Sequence, residues 1–191
     1  MQYSNYPQMK ILETKNCILR PVTLKDANDL FEYYKQDIVV KFLPFNKHNT
    51  VDDTKRFINL FFLSNYKQGK IGHFAIVYKK DKKVIGNVGF NNISKNANEG
   101  EIGICINPRY WGHNLSTELA AEMLRFGFMD LNLDKIIAIT FDQNNHSQKP
   151  LEILGFNYLG KFYKKINSTR PSKQIICHKY AMFRSHYINR I

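Results

Sequence analysis

The stretch EIGICINPRYWGHNLSTELAAEMLRFGF, residues 101–128, decides the fold class of this chain. Its first residues are apolar at alternating positions, which predicts a β-strand over 100–107 that ends at Pro108, because proline cannot donate to a sheet. The residues that follow predict a helix over 114–131. Its apolar positions form one stripe, made of Leu115, Leu119, Met123 and Phe126. A strand that leads through a short turn into a long helix is typical of an α/β protein with a mixed sheet.

The turn between this strand and this helix predicts an anion-binding site. Gly112 allows the backbone to come close to a ligand, and the N–H groups of the first helical turn have no partner within the helix. These groups and the positive end of the helix dipole favour a phosphate. The turn is not a Walker loop, because no GK[ST] follows it, and it is not a dinucleotide fingerprint, because GxGxxG is absent.

The rest of the chain alternates strand-like and helix-like segments. The order β-α-α-β-β-β-α-β-α-β-β predicts one mixed central sheet of about seven strands with helices on both faces. The chain has 191 residues and no linker-like segment, so we expect a single domain over residues 1–191. The further predicted elements are strands over 16–22, 72–79, 83–92, 134–141, 156–165 and 174–184, helices after Thr23, after Thr50 and over 147–154, and a loop over 91–100.

The chain is strongly basic. Lysine and arginine number 28 and acidic residues 16, which gives a net charge of +12. Such a charge favours anionic partners, namely nucleic acid, a membrane surface or a phosphorylated small molecule. Basic proteins are often basic only for solubility, so the charge alone does not lead us to expect nucleic-acid binding.

The cysteine spacing is typical of a protein in a reducing compartment, and the apolar runs predict no membrane span. Cys17, Cys105 and Cys177 are far apart, and no CxxC or HExxH spacing occurs, so neither a disulfide framework nor a metal site is predicted. No apolar run approaches the ~20 residues that span a membrane, and the N-terminus is polar. We therefore expect a cytoplasmic protein with no membrane partner.

Several segments, in order, resemble the GNAT superfamily of acyl-CoA N-acyltransferases. They are ILRPVTLKDANDLFEY at 18–33, VIGNVGF at 84–90, EIGICINP at 101–108, RYWGHNLSTELA at 109–120 and NNHSQKPLEILGF at 144–156. The fourth of these resembles the family's R/Q-x-x-G-x-G/A signature, and the last resembles its N-x-A-S-x-x-v-L-E-k-l-G-F segment. The resemblance spans residues 11–165 and looks closest to the ribosomal-protein alanine acetyltransferase branch.

The resemblance implies a GNAT-like fold with a splayed cofactor cleft between the family's fourth and fifth strands. It also implies acetyl-CoA as the donor of an acetyl group that passes directly to a primary amine. The turn would hold the diphosphate of coenzyme A, the end of the strand would pair with the pantetheine arm, and Asn144 would hold that arm by its side-chain amide. The implied coenzyme-binding residues are Ile104, Cys105, Ile106, Arg109, Trp111, Gly112, His113, Asn114, Leu115, Ser116 and Asn144.

One position departs from the family signature. Its second glycine is Asn114 in this chain. Asparagine tolerates a left-handed backbone better than other non-glycine residues, so we expect the turn to keep its shape.

The resemblance also implies the catalytic groups. Glu101 matches the acidic position of this branch and is the predicted base that takes a proton from the amine, with Glu99 as the alternative. Many family members have a tyrosine at the position of Leu151, which cannot donate a proton. Ser147 is therefore the predicted donor to the departing thiolate, and its competing role is a helix N-cap. Tyr163 is a further alternative donor.

The sequence leaves the acceptor open. The resemblance favours a protein N-terminal amine, and a small-molecule amine such as a polyamine, an amino sugar or an antibiotic is the alternative. A non-catalytic acyl-CoA-fold module that binds RNA or the ribosome through its basic surface is a different class of function, supported by the net charge, Asn114 and Leu151. Members of this branch often dimerise, so a homodimer is also left open.

Overall fold

The computed structural model describes Tyr6, residues 8–166 and residues 173–190. These residues form one eight-stranded sheet. Its strands are β1 (Leu12–Glu13), β2 (Cys17–Pro21), β3 (His73–Tyr78), β4 (Lys83–Ser94), β5 (Glu99–Ile106), β6 (Lys135–Phe141), β7 (Asn157–Ile166) and β8 (Lys173–Phe183). They are arranged in the order β1-β2-β3-β4-β5-β6-β8-β7. Neighbouring strands are antiparallel, except that β5 and β6 run parallel, so the sheet is mixed as predicted.

Helices cover both faces of this sheet. They are α1 (Ala27–Tyr34), α2 (Asp37–Val40), α3 (Val51–Phe57), α4 (Ser64–Lys67), α5 (Leu115–Arg125), α6 (Asn145–Ile153) and α7 (Arg184–Ile188). Helix α3 continues into a π-helical segment, Ile58–Leu63, and α5 continues into another, Phe126–Asp130.

The residues that alternate along β4 show which helix lies on which face. Asn87 accepts hydrogen bonds from tyrosines of α1, so its face is the α1 face. Phe90 points to the opposite face, where its ring centroid lies 6.4 Å from that of Phe126, directly after α5. Phe126 also meets Phe74 of β3 edge to face, at 5.7 Å. The α5 face is therefore held to the sheet by an aromatic contact, and the α1 face by polar contacts as well as apolar ones.

The predicted mixed sheet of about seven strands is confirmed, and the two-residue β1, which pairs with β2 and is too short to give a periodic signal, makes an eighth strand. Two expectations about the bounds of elements need correction. The predicted loop over 91–100 is largely strand, because β4 continues to Ser94 past a register shift and β5 begins at Glu99. The helix predicted over 147–154 begins at Asn145. Residues 1–5, 7, 167–172 and 191 of the expected single domain lie outside the described residues.

The parallel pair in the middle of the sheet separates part-way along its length. Strands β5 and β6 pair from Glu99 and Lys135 only as far as Ile102 and Ala138. Beyond that point β5 remains paired to β4 as far as Ile106, and β6 remains paired to β8 as far as Phe141. The two strands therefore diverge and leave the expected cleft in the sheet.

None of the helices in the described part of the chain has the length and apolar character needed to span a membrane.

Candidate active site

The diverging strand β5 presents backbone groups to the cleft. Backbone groups of successive residues point to opposite edges of a strand. The N–H of Asn107 donates to the carbonyl of Ile85 in β4 at 2.7 Å. The backbone groups of Cys105 therefore also point to β4, and those of Ile104 and Ile106 point to the cleft. The Ile106 carbonyl accepts from the indole N–H of Trp111 at 2.8 Å. Ile104 is thus the residue whose N–H and carbonyl are placed to pair with an extended ligand arm.

The turn after β5 has the backbone conformation that the sequence predicted. The Asn107 side chain accepts from the Arg109 N–H at 3.2 Å and begins a short 3₁₀ turn. Gly112 then has a φ of 84°, and a Cβ built on it would meet no atom within 4 Å, so its backbone lies open to a ligand. Asn114 has a φ of 57°, so asparagine does adopt the left-handed conformation expected of the missing glycine.

Helix α5 begins directly after this turn. Its first intrahelical bond runs from the Glu118 N–H to the Asn114 carbonyl at 3.2 Å. The N–H groups of Leu115, Ser116 and Thr117 precede that bond and have no intrahelical acceptor. Leu115 is 2% exposed and anchors the start of the helix in the core. The first turn of α5 therefore presents fixed N–H donors beside the open backbone of Gly112, an arrangement that suits a diphosphate.

One buried polar side chain on β6 lacks a partner beyond the end of β5–β6 pairing. Among the described residues, Thr140 carries the one buried side-chain oxygen that lacks a hydrogen-bond partner. Thr140 lies on β6 two residues beyond Ala138, where pairing to β5 has ended. A buried hydroxyl without a partner is costly, so a ligand arm with amide groups fits this position.

The other predicted residues of the turn lie around its rim. Arg109 is exposed, and its guanidinium lies 4.0 Å from Glu32 of α1. Trp111 is 37% exposed, and its ring lies 5.6 Å from that of His146 in α6. His113 and Asn114 are exposed. The tryptophan thus connects the turn to α6.

Helix α6 places Asn144 and Ser147 at the same end of β6. Asn144 precedes the helix, and its carbonyl accepts from the Ser147 N–H at 3.0 Å. Ser147 is thus the third residue of α6, so the alternative role of N-cap was wrong and belongs to Asn144. Leu151 is 5% exposed and faces the core. Tyr163 is 71% exposed on β7, which β8 separates from β6, so the structure does not bring this alternative donor to the cleft.

The two candidate bases on β5 differ in their partners. Glu101 lies one residue before the point where β5 and β6 separate, and its Oε1 accepts from the side-chain amide of Asn91 at 2.9 Å. Glu99 forms an ion pair with Lys135 of β6 at 2.5 Å. Glu99 is thus neutralised away from the cleft, whereas Glu101 lies next to it.

Cys105 does not have the environment of a nucleophile. Burial raises the pKa of its thiol to about 12. A thiol with such a pKa is almost wholly protonated at neutral pH, and the thiolate is the reactive form. Although Cys105 was expected to line the coenzyme site, its backbone groups point to β4, so it offers the cleft no backbone hydrogen bond.

Comparison with known proteins identifies the family to which this site belongs. Residues 16–157 match the family described as acetyltransferase (GNAT) domain. The chain belongs to the GNAT family of acetyltransferases. This acetyltransferase is 32% identical over 155 residues to an uncharacterized N-acetyltransferase of Bacillus licheniformis, which covers 80% of this chain and 85% of the relative. It is therefore an N-acetyltransferase with the acetyl-CoA dependence of its family.

Two solved structures share the fold of this acetyltransferase. The ribosomal-protein alanine acetyltransferase from Vibrio fischeri superposes with a TM-score of 0.76 at 21% identity and covers 93% of this chain and 98% of its own. The microcin C7 self-immunity acetyltransferase MccE, solved in complex with acetyl-CoA and AMP, superposes with a TM-score of 0.75 at 20% identity and covers 88% of this chain and 93% of its own. At these identities the likeness establishes the fold.

Proposed function

We propose that this acetyltransferase transfers an acetyl group from acetyl-CoA directly to a primary amine, with Glu101 as the base. The observation that carries the proposal is the end of β5–β6 pairing at Ile102, which opens the cleft beside Glu101 and directly before the left-handed turn. The diphosphate would bind at the N–H groups of Gly112 to Ser116, and the pantetheine arm between Ile104 and Asn144. Bound acetyl-CoA supplies the acetyl group as an activated thioester.

The groups of this chain have separate tasks in the proposed reaction. Glu101 takes a proton from the incoming ammonium group, directly or through water, because the neutral amine is the nucleophile. The Ile104 carbonyl accepts from a pantetheine amide, which leaves the Ile104 N–H to donate to the thioester carbonyl oxygen as negative charge develops on it. The new C–N bond forms, the nitrogen gives its second proton to water, and the C–S bond breaks as the Ser147 hydroxyl supplies a proton to the departing sulfur. Glu101 releases the first proton to solvent. Ser147 then regains a proton from water.

We propose a protein N-terminal amine as the acceptor, with a small-molecule amine as the second candidate. The fold shared with a ribosomal-protein alanine acetyltransferase supports the first, and the fold shared with MccE, whose complex contains AMP, supports the second. Asn114 no longer supports the non-catalytic RNA-binding alternative, because it keeps the left-handed conformation that a glycine would have. We place the reaction in the cytoplasm, which the three free thiols support.

An assay of thiol release from acetyl-CoA tests the proposed function. The panel contains peptides with free N-terminal amines, the same peptides with blocked N-termini, polyamines and amino sugars. We expect release with the free peptides and none with their blocked forms. Release with a small amine alone would reassign the acceptor. Failure of acetyl-CoA to bind at millimolar concentration in calorimetry would overturn the proposal altogether.

A further inference from the structure

A continuous chain of side-chain hydrogen bonds runs across the α1 face of the sheet and ends at Glu101. It links residues from α1, β3, β4 and β5 that are far apart in sequence. Its bonds are Tyr33 Oη to Asn87 Oδ1 at 3.0 Å, Tyr34 Oη to Asn87 Oδ1 at 2.8 Å, Asn87 Nδ2 to His73 Nδ1 at 2.9 Å, His73 Nε2 to Asn91 Oδ1 at 2.8 Å and Asn91 Nδ2 to Glu101 Oε1 at 2.9 Å.

The carboxylate at the end of the chain fixes the direction of every bond in it. An ionised glutamate can only accept, so Asn91 must present its NH₂ group to Glu101 and its carbonyl to His73. His73 must then donate from Nε2, which leaves Nδ1 as an acceptor for the NH₂ group of Asn87. The carbonyl of Asn87 accepts from both tyrosine hydroxyls. All donors therefore point toward Glu101. Asn87, His73, Asn91 and Glu101 each have at least one hydrogen-bond partner within the chain.

The interior part of the chain is buried and uncharged. Asn87 is 4% exposed and His73 is 5% exposed. Burial lowers the pKa of His73 to about 4, so the imidazole is neutral at physiological pH, as the direction of the chain requires. Burial also raises the pKa of Tyr33 and of Tyr34 well above the ordinary tyrosine value, which keeps both hydroxyls as donors.

Strand β5 has a glycine where the Asn91 side chain passes over it. Gly103 of β5 lies under the Asn91 amide, and a Cβ at position 103 would come within 2.7 Å of Asn91 Oδ1 and 2.9 Å of Asn91 Nδ2. Both distances are below van der Waals contact. Gly103 therefore leaves the space that the Asn91 amide occupies on its way to Glu101.

Besides Tyr33 and Tyr34, several titratable groups of the described residues share this face with Glu101. On β5 itself they are Glu99, which is paired to Lys135 of β6, and the protonated thiol of Cys105. His73 lies on β3 and Lys179 on β8, where its register partner is Ile139 of β6. The group that touches Glu101 is nevertheless the neutral amide of Asn91. A charge placed at position 91 would thus act on Glu101 at hydrogen-bond distance.

We propose that Asn91, held in place by His73, is a positioning residue that fixes the Glu101 carboxylate at the edge of the cleft. The inference rests on the proposed function, in which Glu101 is the base. Asn91 does not touch the substrate; it acts through Glu101. His73 acts one step further away, by fixing which end of the Asn91 amide faces the carboxylate.

The test is the pH dependence of kcat/KM in Asn91→Asp. Aspartate has the shape of asparagine and can still accept from His73, but it replaces the donor to Glu101 by a second carboxylate oxygen. Repulsion between like charges raises the pKa of a carboxyl group, so we expect the acid limb of the profile to move up by about one pH unit or more. The Kd for acetyl-CoA should stay at the wild-type value. A profile that falls equally at every pH, with its acid limb in place, would overturn the inference.

The double variant Asn91→Asp/Glu101→Gln separates this inference from the proposed function. With no carboxyl at position 101, the added aspartate has no group to shift, so the pH profile of the double variant should match that of Glu101→Gln. If Glu101→Gln alone keeps the wild-type rate, the proposed base is wrong. If Glu101→Gln is slow but Asn91→Asp leaves the acid limb unmoved, only the positioning role is wrong.

Two further measurements keep the inference testable if Asn91→Asp does not fold. Gly103→Ala displaces the Asn91 amide without changing its charge, and it should move the acid limb in the same direction by a smaller amount. In wild-type protein, a two-bond ¹H–¹⁵N spectrum of the histidines reports the tautomer of His73. We expect neutral imidazole protonated at Nε2 at pH 7. Protonation at Nδ1 would reverse the chain and overturn the inference.

Discussion

Two regions adjoin strand β5 and are built in opposite ways. One is the turn at 107–116, and the other is the hydrogen-bonded chain that ends at Glu101. The turn is a continuous stretch of sequence and presents backbone N–H groups, and its left-handed residues Gly112 and Asn114 are exposed. The chain consists of side chains from four separate elements, and its central residues are buried. The first part offers donors to a ligand that arrives from solvent, and the second fixes a carboxylate from inside the protein.

This difference predicts which substitutions each part tolerates. A backbone site depends on φ and ψ, so it is sensitive at the positions with positive φ and tolerant at most others. A buried chain of hydrogen-bonded side chains is sensitive to the loss of any member. Removing one leaves its neighbours without hydrogen-bond partners in a low-dielectric interior. Cofactor affinity should therefore respond to the turn, and the chemical step and its pH dependence to the chain.

The largest expected effect is on the chemical step. Glu101→Gln should lower kcat by about 10²–10³, which lies within the range typical for loss of a general base, and leave the Kd for acetyl-CoA unchanged. Steady-state kinetics and calorimetry measure the two quantities. The matched control is Glu99→Gln, two residues earlier on the same face but paired to Lys135, which should keep kcat within a few-fold of wild type. Equal losses in both variants would mean that the loss in Glu101→Gln does not come from a base role specific to Glu101.

The next effect is on cofactor affinity. Gly112→Val introduces a branched side chain at a φ of 84°, which costs about 1–2 kcal/mol in strain and crowds the open side of the turn. We expect the Kd for acetyl-CoA to rise about tenfold or more, as measured by calorimetry. Gly69→Val is the control, because Gly69 has a φ of 71° and equally open surroundings but lies before β3. It should lose similar stability in urea and keep the wild-type Kd.

The third effect is on the pH dependence of stability. Unfolded histidine takes up a proton near pH 6.5, whereas the pKa of buried His73 is about 4. Between these values the unfolded state binds more protons, so stability is lost as the pH falls from about 6.5 to about 4. The full difference is worth about 3 kcal/mol. We expect the free energy of unfolding of His73→Gln to fall less steeply than that of wild type over this range in urea titrations. Parallel pH dependences would show that the fold does not lower the pKa of His73.

The same contrast explains how much the sequence predicted. The turn could be predicted, because its signal is local: a strand that ends at Pro108, a glycine, and a helix with its apolar stripe. The order of strands and helices followed from the same kind of signal, whereas the cleft and the role of Glu101 were implied by the resemblance to the GNAT family. The wrong predictions also concern local signals, since β4 continues into the predicted loop and α6 begins in a polar segment without a periodic pattern.

The support of Glu101 could not be predicted, because it depends on register. His73, Asn87 and Asn91 are ordinary polar residues in sequence, and Tyr33 and Tyr34 belong to an apolar helical stripe. They meet only when β3 pairs with β4 and β4 with β5 in one register, and a register shift at Asn91 turns its amide toward Glu101. The available signal was the presence of His73, Asn87 and Asn91 within otherwise apolar strands. Thr140 was missed for the same reason, because the sequence of β6 carries no signal for the end of its pairing with β5 at Ala138.

The most direct test is a crystal structure of the protein with acetyl-CoA. We predict diphosphate oxygens within hydrogen-bond distance of the N–H groups of Gly112 to Ser116, and a pantetheine amide paired with Ile104 in the cleft. The thioester should then lie beside Glu101, whose carboxylate should still accept from Asn91. A coenzyme bound elsewhere, or a turn filled by protein side chains in the presence of saturating coenzyme, would contradict the account.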